Sequence, residues 1–153
     1  MPLDYVSKLI DEVPENLDFK LAYEPTKVTD KKYVINADTG EYLGVVGNDF
    51  TTETHTKFFN KVQDTMMEKL SPYEVQGAEV NWKSARNNAW ASMDITLPNV
   101  TTKIVTDRHE TTVAQRIIGL RAVDGSCSNQ VFFGAIDFFC TNGMIRGDHD
   151  KVR

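Results

Sequence analysis

The sequence of 153 residues lacks most of the motifs that indicate a particular chemistry. It has two cysteines and three histidines, with no CxxC pair, no HxxxH spacing, no GxGxxG loop and no GK[ST] loop. These absences exclude the zinc sites and phosphate-binding loops that local spacing reveals. No apolar run reaches the roughly 18 residues of a membrane-spanning helix, and Met1-Pro2-Leu3-Asp4 does not begin a signal peptide. We therefore predict a cytoplasmic protein with no membrane partner.

Positive charge is also scarce, because 17 Lys and Arg face 22 Asp and Glu and leave a net charge of −5. The deficit lies in residues 1–79, which hold 8 Lys and Arg against 15 Asp and Glu. Residues 80–153 hold 9 against 7. A general basic surface for duplex DNA is therefore excluded, while the second half has the composition for a local basic groove.

What the sequence does have is a strand-like alternation interrupted by one helical period. Runs of β-branched and aromatic residues about turns predict three hairpins, over residues 32–47, 74–97 and 115–140. Between the first two hairpins, apolar residues recur every four positions and predict a helix within residues 51–70. The predicted fold class is therefore α+β, an antiparallel sheet of β-hairpins packed on one long helix.

The predicted domain organisation is an N-terminal arm over residues 1–31 and a single α+β domain over residues 32–153. The arm is too apolar for a free tail, so we expect it to pack on its own domain or on a neighbouring subunit. Because the sequence ends in a charged segment directly after a predicted strand, we expect the domain to be truncated at its C-terminal end. The arm and the strand edges predict a homo-oligomer.

The last long strand is predicted to be covered on both faces. Val131 and Phe133 lie on one side of it, while Phe132 and Ile136 lie on the other. Apolar residues on both faces are typical of a central strand with further structure on each side. We expect the helix to cover one of these faces.

The titratable residues do not predict an enzyme. Cys127 and Cys140 are interpreted as buried packing thiols, because the sequence places no His or basic pair beside either to lower its pKa. Asp148-His149-Asp150 is interpreted as a solvated tail, and a metal-dependent hydrolase would require it to converge with an acid such as Asp124 or Asp137. We predict no catalytic residues, no metal site and no cofactor.

The sequence around the second hairpin turn instead favours a site that binds nucleic acid. Trp82 and Trp90 bracket cations and asparagines at what is predicted to be a flexible hairpin tip. Aromatic rings that stack bases and cations that meet phosphates suit single strands better than duplex grooves. The predicted site comprises Trp82, Lys83, Arg86, Trp90, Arg108 and Arg121. The alternative is that both tryptophans are core or interface residues.

Three fragments occur in order along the chain: Gly40-Glu41-Tyr42-Leu43-Gly44-Val45-Val46-Gly47, then Val123-Asp124-Gly125-Ser126, then Phe139-Cys140-Thr141-Asn142-Gly143-Met144. In them the chain resembles, over residues 32–153, the phage and plasmid-like proteins grouped as domain of unknown function nine-three-two. The resemblance implies a virus or mobile-element origin and a domain that continues into a mostly helical part. It implies no activity and no catalytic residues.

The predicted function is that of a non-enzymatic phage or mobile-element protein in the cytoplasm of the host cell. It binds single-stranded nucleic acid and acts as an accessory to recombination or replication. The alternative is a protein-interaction or assembly module with no nucleic-acid role, whose exposed tryptophans and apolar arm contact another protein.

Overall fold

The computed structural model describes residues 10–105, 110–137 and 145–146. After a 3₁₀ turn at Glu15–Leu17, the elements in chain order are β1 Leu21–Pro25, β2 Lys31–Asn36, β3 Tyr42–Gly47, α1 His55–Lys69, α2 Pro72–Val75, β4 Glu79–Ala85, β5 Trp90–Val105, β6 Glu110–Ala122, β7 Gln130–Asp137 and β8 Ile145–Arg146. The class is α+β, as predicted. The single predicted sheet is wrong, because the strands form two antiparallel sheets, β1-β2-β3 and β4-β5-β6-β7-β8.

The long helix α1 follows from its apolar period and from a defined start. The Thr54 side chain accepts a hydrogen bond from the backbone N–H of Lys57 and caps the N-terminus. Phe58, Phe59 and Met66 are buried on the face that the four-residue period predicts. The helix ends at Lys69, the next residue Leu70 is extended, and Ser71 then caps α2 in a capping box with Glu74.

The five-stranded sheet is a meander whose strands follow one another in space as in sequence. Directly paired residues share a face, so the β5–β6 register places Met93 with Gly119 and Ile95 with Ile117. These residues face α1, because Met93, Ile95 and Ile117 are buried in one cluster with Phe58 and Phe59. We call this the inner face and the opposite side the outer face.

The three-stranded sheet packs against one end of the larger sheet through a second buried cluster. Val34 and Val46 meet Val123, which lies just beyond β6, and Ala89, which lies just before β5. Close approach is possible because Gly44 has no side chain: a Cβ there would lie 2.7 Å from the Cβ of Asp124. The two sheets therefore meet at a backbone contact that admits no larger residue.

The segment predicted as an N-terminal arm contributes to both clusters from residue 10 onward. Leu17 belongs to the cluster under α1 and Phe19 to the cluster between the sheets. Strand β1 pairs along its length with β2. Gln63 in α1 accepts from the backbone N–H groups of Ile10 and Asp11 and donates to the carbonyl of Asp11. This part of the chain is therefore fixed on its own domain.

Candidate functional site

The two tryptophans of the predicted nucleic-acid site lie on opposite faces of the larger sheet. Trp82 pairs with Met93 on the inner face, whereas Trp90 pairs with Ala85, three residues along β4 from Trp82. The Trp82 ring contacts Phe59 edge-on at 5.4 Å between centroids, and its Nε1–H donates to Asp11 at 2.9 Å. Trp82 is therefore a packing residue of the inner face, and the two rings do not form one stacking platform.

Lys83 and Trp90 do lie together on the outer face. The register pairs Lys83 with Ser92 and Ala85 with Trp90, so the two side chains occupy adjacent rows. Lys83 is exposed and Trp90 is half-buried. The structure thus brings together only this part of the predicted set.

Arg86 lies at the hairpin tip but is already engaged. Its Nε donates to Asp124 at 3.1 Å and its Nη2 donates to Ser126 Oγ at 2.5 Å. Burial works against ionisation of Asp124, yet hydrogen bonds from Ser126 and Arg86 outweigh it and hold the pKa of Asp124 below its ordinary value. The Arg86 side chain is nevertheless 53% exposed, so the ion pair lies at the surface.

The tip that we predicted to be flexible has contacts with neighbours from distant parts of the chain. Arg86, Asn87 and Asn88 all have positive φ, at 52°, 55° and 68°. His55 Nε2 lies 2.8 Å from the carbonyl oxygen of Asn88, and Asn16 donates to the Asn88 side chain at 3.0 Å. A left-handed run without glycine is costly for L-residues, so these contacts fix a conformation that local sequence does not favour.

Arg121 is the clearest correction to the predicted site, because it is 0% exposed. Its Nε donates to Asn129, and its Nη2 donates to Thr52 Oγ1 and to the carbonyl of Glu53, both at 2.6 Å. Burial lowers its pKa to about 10. Arg121 therefore acts as a buried hub under α1 and takes no part in a surface. Arg108 lies outside the described residues.

His55, the first residue of α1, is buried between the helix and the hairpin tip. Burial is the main cause that lowers its pKa to about 4, and the nearby charge of Arg121 acts in the same direction. The imidazole is therefore neutral at pH 7. Its role is to hold the tip, and sequence alone gave no sign of it.

An apolar groove runs between α1 and the inner face of β6 and β7. Its volume is about 550 Å³, within the range of roughly 300–1,000 Å³ that ligand pockets occupy. At its open side Val131 is 41% exposed and Phe133 is 62% exposed. The residues that line it are Glu53, Phe58, Lys61, Val62, Thr65, Met66, Lys69, Leu70, Ile117, Asn129, Val131 and Phe133.

We expected α1 to cover one face of the last long strand, and the groove shows that it covers the inner face of β7 only in part. Ile117 on β6 is buried, but its β7 partner Phe133 lies largely open. The sequence signal for the groove is the pair Val131 and Phe133, two residues apart and therefore on one face. The sequence shows that these two side chains share a face, but it does not show how far α1 extends across the sheet.

The polar residues of the groove lie along its rim. Lys61, Thr65 and Lys69 follow one another at four-residue spacing on α1. Lys61 pairs with Glu53 at 3.0 Å, and Asn129 donates to Glu53 at 3.4 Å. No ion pair of Lys69 is found among the described residues. The lining therefore has an apolar floor with two lysines on the α1 side.

Metal binding has no support within the described ranges. No group of three His, Cys, Asp or Glu residues there could hold an ion. Cys127 is half-buried, and burial raises the pKa of its thiol. Cys140 and the Asp148-His149-Asp150 triplet are outside the part of the chain that the structure describes. No helix in the described part is long and apolar enough to cross a membrane.

The fold and the groove together define an α+β domain with two antiparallel sheets and an apolar cleft beside its long helix. The chain belongs to the family described as Domain of unknown function (DUF932), whose model matches residues 42–153. This confirms the family that the three sequence fragments indicate. No curated protein and no solved structure matches the chain.

Proposed function

We propose that this chain is a non-enzymatic protein-interaction module that binds an apolar polypeptide segment in the groove between α1 and β7. The observation that carries the proposal is Phe133, an aromatic side chain 62% exposed at the mouth of an apolar cavity. Aromatic anchors that fill pockets supply much of the free energy in protein interfaces. The groove thus combines an apolar cavity with an exposed aromatic side chain of its own that a partner can contact.

The chemistry of the lining supports a polypeptide as the ligand. The floor consists of aliphatic and aromatic side chains, and burying such surface contributes about 25 cal/mol per Å². Lys61, Thr65 and Lys69 border that floor on the α1 side, as polar residues border the core of an interface. Among the described lining residues there is no imidazole or thiol, and the one carboxylate, Glu53, is already paired with Lys61.

A selection from a displayed random-peptide library tests this function. We expect enrichment of peptides with closely spaced apolar residues, and at least tenfold weaker binding of those peptides to Phe133→Glu. Tyr73→Glu is the matched control, because Tyr73 is 65% exposed but lies outside the groove. Failure to enrich any sequence, or equal binding by Phe133→Glu, would refute the proposal.

Single-stranded nucleic-acid binding remains a second candidate, and the observation that favours it is the adjacency of Lys83 and Trp90 on the outer face. Arg86 at the nearby tip is 53% exposed even in its ion pair with Asp124, so one ring and two cations can meet a base and two phosphates. Two phosphate contacts predict a slope of about −1.4 in log K against log salt. Anisotropy titration of a labelled single strand, with a matched duplex, measures it. Unchanged affinity after Lys83→Ala and Arg86→Ala would exclude this site.

We also propose that the protein acts in the cytoplasm of a cell that hosts a phage or another mobile element. Support comes from membership of the family that the phage and plasmid-like sequence fragments indicate. Fractionation of host cells that express the chain tests the location.

A further inference from the structure

A second exposed surface lies on the three-stranded sheet, away from the groove. Tyr33 and Tyr42 stack at 4.8 Å between centroids with their planes 19° apart. Strand register places Glu24 and Val45 on either side of Tyr33. The Tyr42 hydroxyl donates to Glu24 at 2.7 Å. We call Glu24, Tyr33, Tyr42 and Val45 the tyrosine patch.

The tyrosine patch has the composition of an interface core. Tyr42 is 55% exposed and Val45 is 53% exposed, although both are large apolar residues. The Tyr42 phenol is fixed by Glu24 and by the stack with Tyr33, so little side-chain entropy would be lost on contact. Tyrosine is enriched among the residues that dominate interface energies. This surface is therefore prepared for a protein partner.

The charges around the two surfaces are opposite. The tyrosine patch contains Glu24, and Glu41 lies beside Tyr42 in sequence. Lys31 lies on the same face past Tyr33, so these three charges sum to −1. Among the described residues that line the groove, Lys61 is paired with Glu53, and Lys69 leaves a net charge of +1. The apolar centre of one surface thus complements that of the other, and so do the nearest charges.

We infer that the occupant of the groove is a second copy of this chain, which inserts its tyrosine patch. The inference rests on the proposed function, because it names the polypeptide that the groove binds. Tyr42 and Val45 would meet Phe133, Val131 and the apolar floor, while Glu24 and Glu41 would approach the groove on the side of Lys69. Burying both surfaces removes the large exposed apolar residues of two separate regions at once.

The contact is heterologous, since it joins different surfaces of the two copies. Each bound pair leaves one groove and one tyrosine patch free, so further copies add head to tail until a ring closes. Pairing of groove with groove or of patch with patch would bring like charges together, which opposes a two-fold dimer. The inferred assembly therefore grows beyond two copies.

Two variants, one for each surface, test the inference in the full chain. Phe133→Glu places an acid in the groove, and Val45→Lys places a base in the tyrosine patch. Both residues are largely exposed, so neither change removes a buried contact. Sedimentation velocity over a range of concentrations should show oligomers larger than a dimer for the wild type and for Tyr73→Glu. Each single variant should associate at least tenfold more weakly.

The decisive sample is an equimolar mixture of the two variants. The intact groove of Val45→Lys can accept the intact patch of Phe133→Glu, so the mixture should form one-to-one dimers and nothing larger. A wild type that stays monomeric, a wild-type assembly that stops at two copies, or a mixture that stays monomeric would overturn the inference. If library peptides still bind the groove in a Phe133-dependent manner, the proposed function survives that failure. If neither peptides nor a second copy binds, both fail.

Discussion

The contact between the two sheets predicts a large effect from one small substitution, Gly44→Ala. A Cβ at this position would lie 2.7 Å from the Cβ of Asp124 and 3.3 Å from its Cα and its carbonyl oxygen. Favourable carbon contacts lie at about 3.5–4.0 Å, so the methyl group overlaps Asp124. Two of the three nearest atoms are backbone atoms, which cannot move aside by a rotamer change. One of the two sheets must therefore shift.

Overpacking of this kind costs about 1–3 kcal/mol, and we expect a loss of about 2 kcal/mol in the free energy of unfolding. For a chain of this length, each 1 kcal/mol lowers Tm by about 2–4 °C, so Tm should fall by about 4–8 °C. Urea unfolding followed by tryptophan fluorescence measures the free energy, and a thermal melt measures Tm. Gly47→Ala is the matched control on the same strand, because nothing lies within 4 Å of its Cβ position.

A double-mutant cycle separates the steric effect from a general effect of alanine in β3. In an Asp124→Gly background the obstructing Cβ is absent, so Gly44→Ala should cost much less than it does in the wild type. Asp124→Gly also removes the ion pair with Arg86, so the comparison is made within that background. Equal costs for Gly44→Ala in both backgrounds, or a cost no greater than that of Gly47→Ala, would refute the packing argument.

Three further predictions concern the hairpin tip and the N-terminal segment. The pKa of His55 falls from 6.5 unfolded to about 4 folded, so stability is full above pH 6.5 and is lost as pH falls toward 4. Urea unfolding should show about 2 kcal/mol of this loss between pH 7 and pH 5, and His55→Gln should remove it. Asn87→Gly should stabilise by about 0.5–1 kcal/mol, because glycine adopts a φ of 55° without strain. Asn81→Gly, within strand β4, should destabilise in the same thermal melt. Gln63→Leu should speed hydrogen exchange at Ile10 by at least tenfold, because it removes that amide's acceptor.

Each of these has a contrary result. An unchanged pH dependence in His55→Gln would show that other groups titrate in that window. A lower Tm for Asn87→Gly would mean that the asparagine side chain outweighs the backbone strain. Unaltered exchange at Ile10 in Gln63→Leu would show that packing, not the Gln63 carbonyl, protects the segment.

The local pattern of apolar residues was sufficient to locate helices, strands and turns. It was not sufficient to predict which side chains share a face of the sheet. The period of Phe58, Val62 and Met66 located α1, and Asp124-Gly125 located the turn between β6 and β7. The predicted hairpin tip lies between Trp82 and Trp90, whereas β4 continues to Ala85. That extension places Trp90 across from Ala85 and on the opposite face from Trp82. Alternation is strict, so a small error in a turn reassigns faces.

The candidate site depended on burial, which residue type does not fix. Arginine is almost never fully buried unless it is paired, and sequence therefore placed Arg121 on the surface. Its partners Thr52, Glu53 and Asn129 come from two loops distant in sequence, which only the fold brings together. The same applies to the groove, whose walls belong to α1 and β7 and whose width is set by how α1 crosses the sheet.

The left-handed turn at residues 86–88 has a consequence for the order in which the chain folds. Its conformation is held by Asn16, His55 and Asp124, which lie far away in sequence and become available only when α1 and both sheets have docked. The β6–β7 hairpin has no such requirement, since Gly125 adopts its φ of +83° without a partner. We therefore expect β6 and β7 to pair in the folding transition state and the β4–β5 hairpin to close late. Destabilising substitutions at residues 86–88 should then accelerate unfolding, and the stabilising Asn87→Gly should slow it, while the folding rate stays almost unchanged in both cases.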